Sequence, residues 1–205
     1  MIGEIAKFNY LRNELKVNRE LEESMLVEEE LEFKEAYTTY LNLIYVQTDV
    51  LPTMKDEDIL DCIVDMVDAY CDFNYVYYGS LLKFLGTGTI FDYTQKQTLM
   101  STIVTEILIN HGCKIHEQFK KPLLDKAMSF VIEANEAKPL KKTKGKVAKG
   151  KDFRDPKEDI KELILDRGFT PDMDDVINKI KKQLEDASKP VVPINMADLP
   201  DNEGA

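Results

Sequence analysis

Aspartates stand at positions 61, 65, 68 and 72, in steps of four, three and four residues. At about 100° per residue, that spacing puts Asp61, Asp65, Asp68 and Asp72 within roughly 60° of one another on an α-helix. Leu60, Ile63, Val64, Val67, Cys71 and Asn74 fall on an adjoining stripe. The pattern predicts an amphipathic helix with an apolar inward face and an acidic flank. Such a row is unfavourable by itself, because like charges four apart repel and Asp is a weaker helix former than Glu.

A second acidic run, Glu28-Glu29-Glu30-Leu31-Glu32, precedes it. Leu26, Phe33, Tyr37, Tyr40 and Ile44 share one narrow stripe of that segment, again a core face. Glu29 and Glu32 lie together on its flank, while Glu28 and Glu35 sit further round toward water. Two acidic flanks brought together in a bundle would need hard divalent cations, and short carboxylates suit Mg²⁺ or Mn²⁺. The competing reading is a pair of solvated acidic faces in an acidic protein.

With 205 residues and a formal net charge of −11, the chain suffices for one sizeable domain, with or without an extension. Its acidic balance argues against general nucleic-acid binding. No apolar run approaches the roughly 18 residues of a membrane span, and no signal-type segment opens the chain. Cys62, Cys71 and Cys113 form no CxxC pair and read as reduced core thiols of a cytoplasmic protein. His111 and His116 match no zinc pattern and read as satisfied or surface side chains.

In chain order, Ile2, Ile5, Phe8 and Leu15 predict a leading helix within residues 1–19, and a second helix follows over about 20–46. Thr53 with Asp56 three residues on is a capping-box-like start for the aspartate helix, which runs toward Gly79. Gly86-Thr87-Gly88 interrupts the pattern without the GK[ST] of a phosphate loop. Residues 95–110 predict a fourth helix with Leu99, Ile103, Ile107 and Leu108 inward, ended by His111-Gly112. Pro122 opens a fifth, with Leu123, Leu124, Ala127, Met128 and Val131. Further helices are expected over 158–167 and 170–187, the latter with Thr170 as N-cap and Pro171 at its first position. No strand alternation is long enough to propose a sheet, so the fold class is an all-α helical bundle. Between Lys138 and Lys151 the charge reverses, with seven lysines and two glycines. That segment is either a solvated loop or a mobile cationic strap over an anion.

Four of these elements together resemble the all-α NTP pyrophosphatases, the group of MazG, the phosphoribosyl-ATP pyrophosphohydrolase-like proteins and the dimeric dUTPases. Val27 to Ala36 looks like the EExxE helix of that group. Asp68-Ala69-Tyr70-Cys71-Asp72, with Gly79 seven residues after Asp72, looks like its second motif in the phage-type form, DAxxD. Ala134-Asn135-Glu136-Ala137-Lys138 resembles the SNxxK element, and Gly145-Lys146-Val147-Ala148-Lys149-Gly150 the GKxxKG run after it. The match covers about residues 20–155. Position 69 is Ala where the common ExxD motif differs, so the upstream acid is Asp68 or Asp65; the serine of SNxxK is Ala134.

The resemblance implies a MazG-like bundle over 1–155; residues 156–205 have no counterpart in it, and their own pattern and composition predict a C-terminal helical extension over 156–188 and a disordered tail over 189–205. The resemblance also implies hydrolysis of a (d)NTP between the α and β phosphates, giving the monophosphate and pyrophosphate. Glu29, Glu32, Asp68 and Asp72 would then hold Mg²⁺ (or Mn²⁺), with Glu28 positioning or deprotonating the attacking water. Asn135 and Lys138 would contact the nucleotide, and Lys146, Lys149 and Lys151 would neutralise its phosphates. Tyr75 and Tyr78 are pocket or core. A homo-oligomer, dimer or tetramer, is expected, as is no membrane or nucleic-acid partner. Within the class, dUTPase-like, dCTPase-like and purine-dNTP members are the alternatives; outside it stands a nucleotide-binding adaptor without turnover.

Overall fold

A computed structural model of the chain describes residues 2–11, 18–46, 56–84, 93–115, 122–138, 142–143, 146–147, 153–171, 178 and 182. The chain divides into two compact units, Met1–Asp172 and Met173–Ala205. In the second, Asn178 and Lys182 are described, both helical. Of the rest of the expected 170–187 helix, Thr170 and Pro171 are described and are not helical; the remainder is outside the described residues, as is the 189–205 tail.

Among its described residues, the first unit is helical apart from one two-residue ladder and short connections. Its elements are α1 (Ile2–Leu11), α2 (Arg19–Val46), α3 (Asp56–Phe84), α4 (Thr94–Asn110), α5 (Leu123–Glu136), β1 (Lys142–Thr143), β2 (Lys146–Val147) and α6 (Pro156–Asp166). The strands are antiparallel, with Lys142 opposite Val147 and Thr143 opposite Lys146. This ladder falls in the lysine-rich stretch, where the sequence pattern gave no strand. Two residues per strand are too few for period-2 alternation to register.

Helix α3 is the hub, packing against α1, α2, α4, α5 and α6. All six residues of its expected inward stripe are buried, and so are Ile59, Met66, Phe73 and Tyr77 on its other faces. A helix buried over most of its circumference is a central helix, so α3, exposed along its acidic flank at Asp61 and Asp65, exceeds the one-faced amphipathic helix that its stripe suggested. Helix α2 lies antiparallel to it: Glu22 meets Ser80 and Lys83 at one end, while Thr39 and Cys62 line one cleft at the other. Leu26, Phe33, Tyr40 and Ile44 are buried there, with Tyr37 half-buried.

Helix α4 is rotated from its expected setting. Met100, Val104, Ile107 and Leu108 face inward, Ile103 is half-buried, and Leu99 is 61% exposed. Two stripes one residue apart are both apolar here, so periodicity alone left the choice open. Hydrogen bonds with α3 accompany the observed rotation: Gln97 Nε2 donates to Asn74 Oδ1 and, at 2.9 Å, to the Tyr78 hydroxyl. Tyr77 Oη and Thr94 Oγ1 pair at 3.1 Å.

Local signals account for several ends. Asn18 Oδ1 accepts from Leu21 N at 3.2 Å, capping α2. Asp155 caps α6 through Lys157 N, with Pro156 in the first turn, two residues ahead of the expected start. Gly112 follows α4 at φ +81°, and Gly168 follows α6 at φ +87°. His111 is fully buried, with Nε2 3.0 Å from the Tyr40 hydroxyl and Nδ1 2.9 Å from the Thr170 carbonyl. It is a satisfied core histidine; His116 lies outside the described residues. The three cysteines are free thiols, all buried. No helix among the described residues is long and apolar enough to cross a membrane.

Candidate functional site

The antiparallel packing of α2 on α3 brings the glutamate flank against part of the aspartate row. Burial pushes the Glu29 carboxyl up to about 8, and the charges of Asp72, Glu32, Glu28 and Asp68 add to the effect. Burial likewise raises Asp68 to about 7, with Asp72 adding to the shift and Lys157 opposing it. Asp72 rises to about 6, again chiefly by burial, with Lys138 and a hydrogen bond from Asn135 pulling the other way. Mutual perturbation of this kind requires proximity. Glu29, Glu32, Asp68 and Asp72 therefore form one electrostatic cluster, with exposed Glu28 at its rim.

The aspartate row divides in two. Asp61 and Asp65 are exposed and ion-paired to α6: Lys161 Nζ lies 2.8 Å from Asp61 Oδ1, and Lys157 Nζ lies 2.8 Å from Asp65 Oδ1. Asp68 is 9% exposed, and its Oδ1 is buried without a hydrogen-bond donor. A buried carboxylate oxygen left so costs on the order of 1–3 kcal/mol, more if charged, unless a cation or proton satisfies it.

Beside the cluster is a cleft of ≈ 270 Å³, walled by Glu32, Glu35, Ala36 and Thr39 of α2, Cys62, Asp65 and Asp68 of α3, and Lys157 of α6. Hard oxygen donors around an unsatisfied buried carboxylate fit Mg²⁺ or Mn²⁺ by type. Among the described residues, no three acidic or thiol groups already converge on a single ion position. Glu32 is exposed, so its side chain can turn inward without disturbing the core.

Helix α5 supplies the polar partner of this cluster. Asn135, 8% exposed, hydrogen-bonds Asp72, donates from Nδ2 to the Val131 carbonyl at 2.9 Å and accepts from Lys138 Nζ at 2.7 Å. The Lys138 ammonium also lies 5.7 Å from the centre of the Phe153 ring. Lys146 is in β2, but its side chain is outside the described residues, as are Lys149 and Lys151 altogether. Tyr78 is half-buried and bonded to Gln97, and Tyr75 is half-buried. Glu30, inside the acidic run, turns elsewhere and pairs with Lys34 at 2.6 Å and with Lys96 of α4.

Sequence reasoning missed Lys157, Lys161 and Glu35 as neighbours of the site. A usable signal existed: Lys157 and Lys161 are four apart behind an Asp-Pro cap, the same spacing as Asp61 and Asp65. Comparison of the chain with protein-family models, curated proteins and solved structures gives no match.

Proposed function

We propose that the chain is a Mg²⁺- or Mn²⁺-dependent nucleoside triphosphate pyrophosphohydrolase of the MazG-like kind, cleaving a (d)NTP between the α and β phosphates. The observation that carries this reading is the meeting of Glu29 and Glu32 with Asp68 and Asp72, and of Asp72 with Asn135 and Lys138. Those six positions come from three motifs distant in sequence. A solvated acidic face would have no reason to bury Asp68 against them.

In this reading Glu29, Glu32, Asp68 and Asp72 hold the cation, which neutralises the triphosphate and charge developing at the α-phosphorus. Glu28, exposed beside Glu29, positions or deprotonates the attacking water. Asn135 orients the substrate through the amide that also fixes Asp72, and Lys138 neutralises phosphate oxygens. Asp68, rather than Asp65, is the upstream acid, because Asp65 already has Lys157 as its partner. Lys146, Lys149 and Lys151 are proposed as further phosphate contacts. Helix α2 leaves Leu21, Val27 and Leu31 exposed, which favours assembly into a homo-oligomer, dimer or tetramer.

Incubation with a panel of ribo- and deoxynucleoside triphosphates and Mg²⁺ or Mn²⁺ tests this by pyrophosphate release. The expected result is release from a subset of nucleotides, abolished by Glu32→Gln. Ala69, which departs from the common ExxD motif, favours a second reading as a nucleotide-binding adaptor. Metal-dependent binding of nucleotide without pyrophosphate release would select it, and the absence of both would reject the two together.

A further inference from the structure

Helix α6 aims a cation at the acidic cleft. Lys157 Nζ lies 2.8 Å from Asp65 Oδ1 and 3.9 Å from Asp68 Oδ2, and its side chain is 45% exposed along the cleft wall. The lysine is held there from below. Asp155 caps the helix through Lys157 N, Pro156 rigidifies its first turn, and Ile160 and Ile164 are fully buried beneath it. One turn on, Lys161 binds Asp61 at 2.8 Å and Glu57 at 3.5 Å, so α6 cannot slide along α3 without breaking both sets of pairs.

We propose that Lys157 is a substrate-binding and ion-limiting residue: a tethered cation that balances the Asp65–Asp68 end of the cleft, competes there with a divalent ion, and turns to the triphosphate when it enters. The inference rests on the function proposed above. An ammonium has three donors and no acceptor on a flexible four-carbon stem. It can therefore keep Asp65 while offering a proton to a phosphate oxygen. The charged groups around it are all acidic, Asp65 and Asp68 on α3, Glu32 and Glu35 on α2 and Asp155 at its own cap, and the rest of the cleft wall is Ala36, Thr39 and the Cys62 thiol. Asp68 is the shared element, with Oδ2 toward Lys157 and Oδ1 buried without a donor. A cation reaching Oδ1 meets the charge of Lys157 across a single carboxylate group.

Titration of the full chain with Mn²⁺, following the free-ion electron paramagnetic resonance signal, tests this without turnover. Lys157→Met is expected to bind Mn²⁺ about fivefold tighter, the scale of one exposed charge pair. It should also raise KM for the hydrolysed nucleotide more than it lowers kcat. Lys157→Arg should restore wild-type behaviour in part. Lys161→Met, which removes the other pair of α6–α3 links but leaves the cleft charge intact, should leave Mn²⁺ affinity unchanged. Binding by the wild type with the same affinity in Lys157→Met overturns the role of Lys157 alone. The same tightening in Lys161→Met overturns it too, since helix docking would then be the cause. No Mn²⁺ binding by any of these proteins overturns the cation-dependent function together with this inference.

Discussion

Glu22 Oε1 lies 2.5 Å from Lys83 Nζ, joining the first turn of α2 to the last turn of α3 with side chains only 3% and 8% exposed. Ser80 Oγ donates to the other oxygen, Glu22 Oε2, at 2.7 Å. Helices of 28 and 29 residues pack along long faces, so their relative register has to be set by specific contacts. This buried, bonded pair fixes one register, and in that register Glu29 and Glu32 face Asp72 and Asp68.

Removing one partner would leave a buried charge alone. Lys83→Met is expected to destabilise the fold by about 3–5 kcal/mol, whereas Glu22→Leu with Lys83→Met should recover most of it. Urea denaturation at neutral pH measures both. Equal losses in the single and double variants would show that the pair does not act as a unit. The half-buried link from Lys96 to Glu30 offers the contrast, and Lys96→Ala should cost only about 1 kcal/mol.

The carboxylate cluster makes stability fall as pH rises. Glu29, Asp68 and Asp72 have folded values of about 8, 7 and 6, against ordinary values of 4.5, 3.8 and 3.8. In the window between, the folded chain binds more protons than the unfolded one. Their favourable contribution is complete below the unfolded values and is lost as pH rises through the folded ones. Without divalent ions, Tm should therefore decline from pH 5 to pH 8. Glu29→Gln should flatten the decline and raise Tm at pH 8 by about 3 °C, the effect of ~1 kcal/mol in a chain of this size. A Tm that climbs over that range in both proteins would contradict the buried cluster.

Mg²⁺ or Mn²⁺ should act in the opposite sense. An ion that binds the folded state alone stabilises it by about 1.4 kcal/mol for each tenfold increase above its Kd. Thermal melts at pH 8 should show Tm rising with the logarithm of ion concentration, and Asp68→Asn should abolish the rise. A rise of equal size in Asp68→Asn would place the ion elsewhere.

Gly112 joins α4 to the segment that reaches α6, with φ +81°. A Cβ at this position would stand 3.4 Å from both the Gly168 carbonyl oxygen and Thr170 Oγ1. Gly112→Ala should cost about 1–2 kcal/mol from the left-handed backbone alone. Gly3→Ala, inside α1 with nothing within 4 Å of its added Cβ, should be neutral or slightly stabilising. Chemical denaturation of the two variants side by side would test the difference.

The all-α class and most core faces were legible in the sequence. The period of Leu26, Phe33, Tyr40 and Ile44, and of Leu60 through Asn74, is a property of consecutive residues, so it survives folding unchanged. The i,i+3 and i,i+4 spacing of the acids likewise determined that Glu29 sits with Glu32 and Asp68 with Asp72. Spacing gives an angle about a helix axis but not the identity of the neighbour found at that angle. Only the tertiary structure decided that Asp61 and Asp65 meet the lysines of α6 while Asp68 and Asp72 meet the glutamates of α2, and that α4 turns Met100 rather than Leu99 inward. Those outcomes depend on contacts between segments up to a hundred residues apart, as between Asp61 and Lys161, whose energies no local pattern contains.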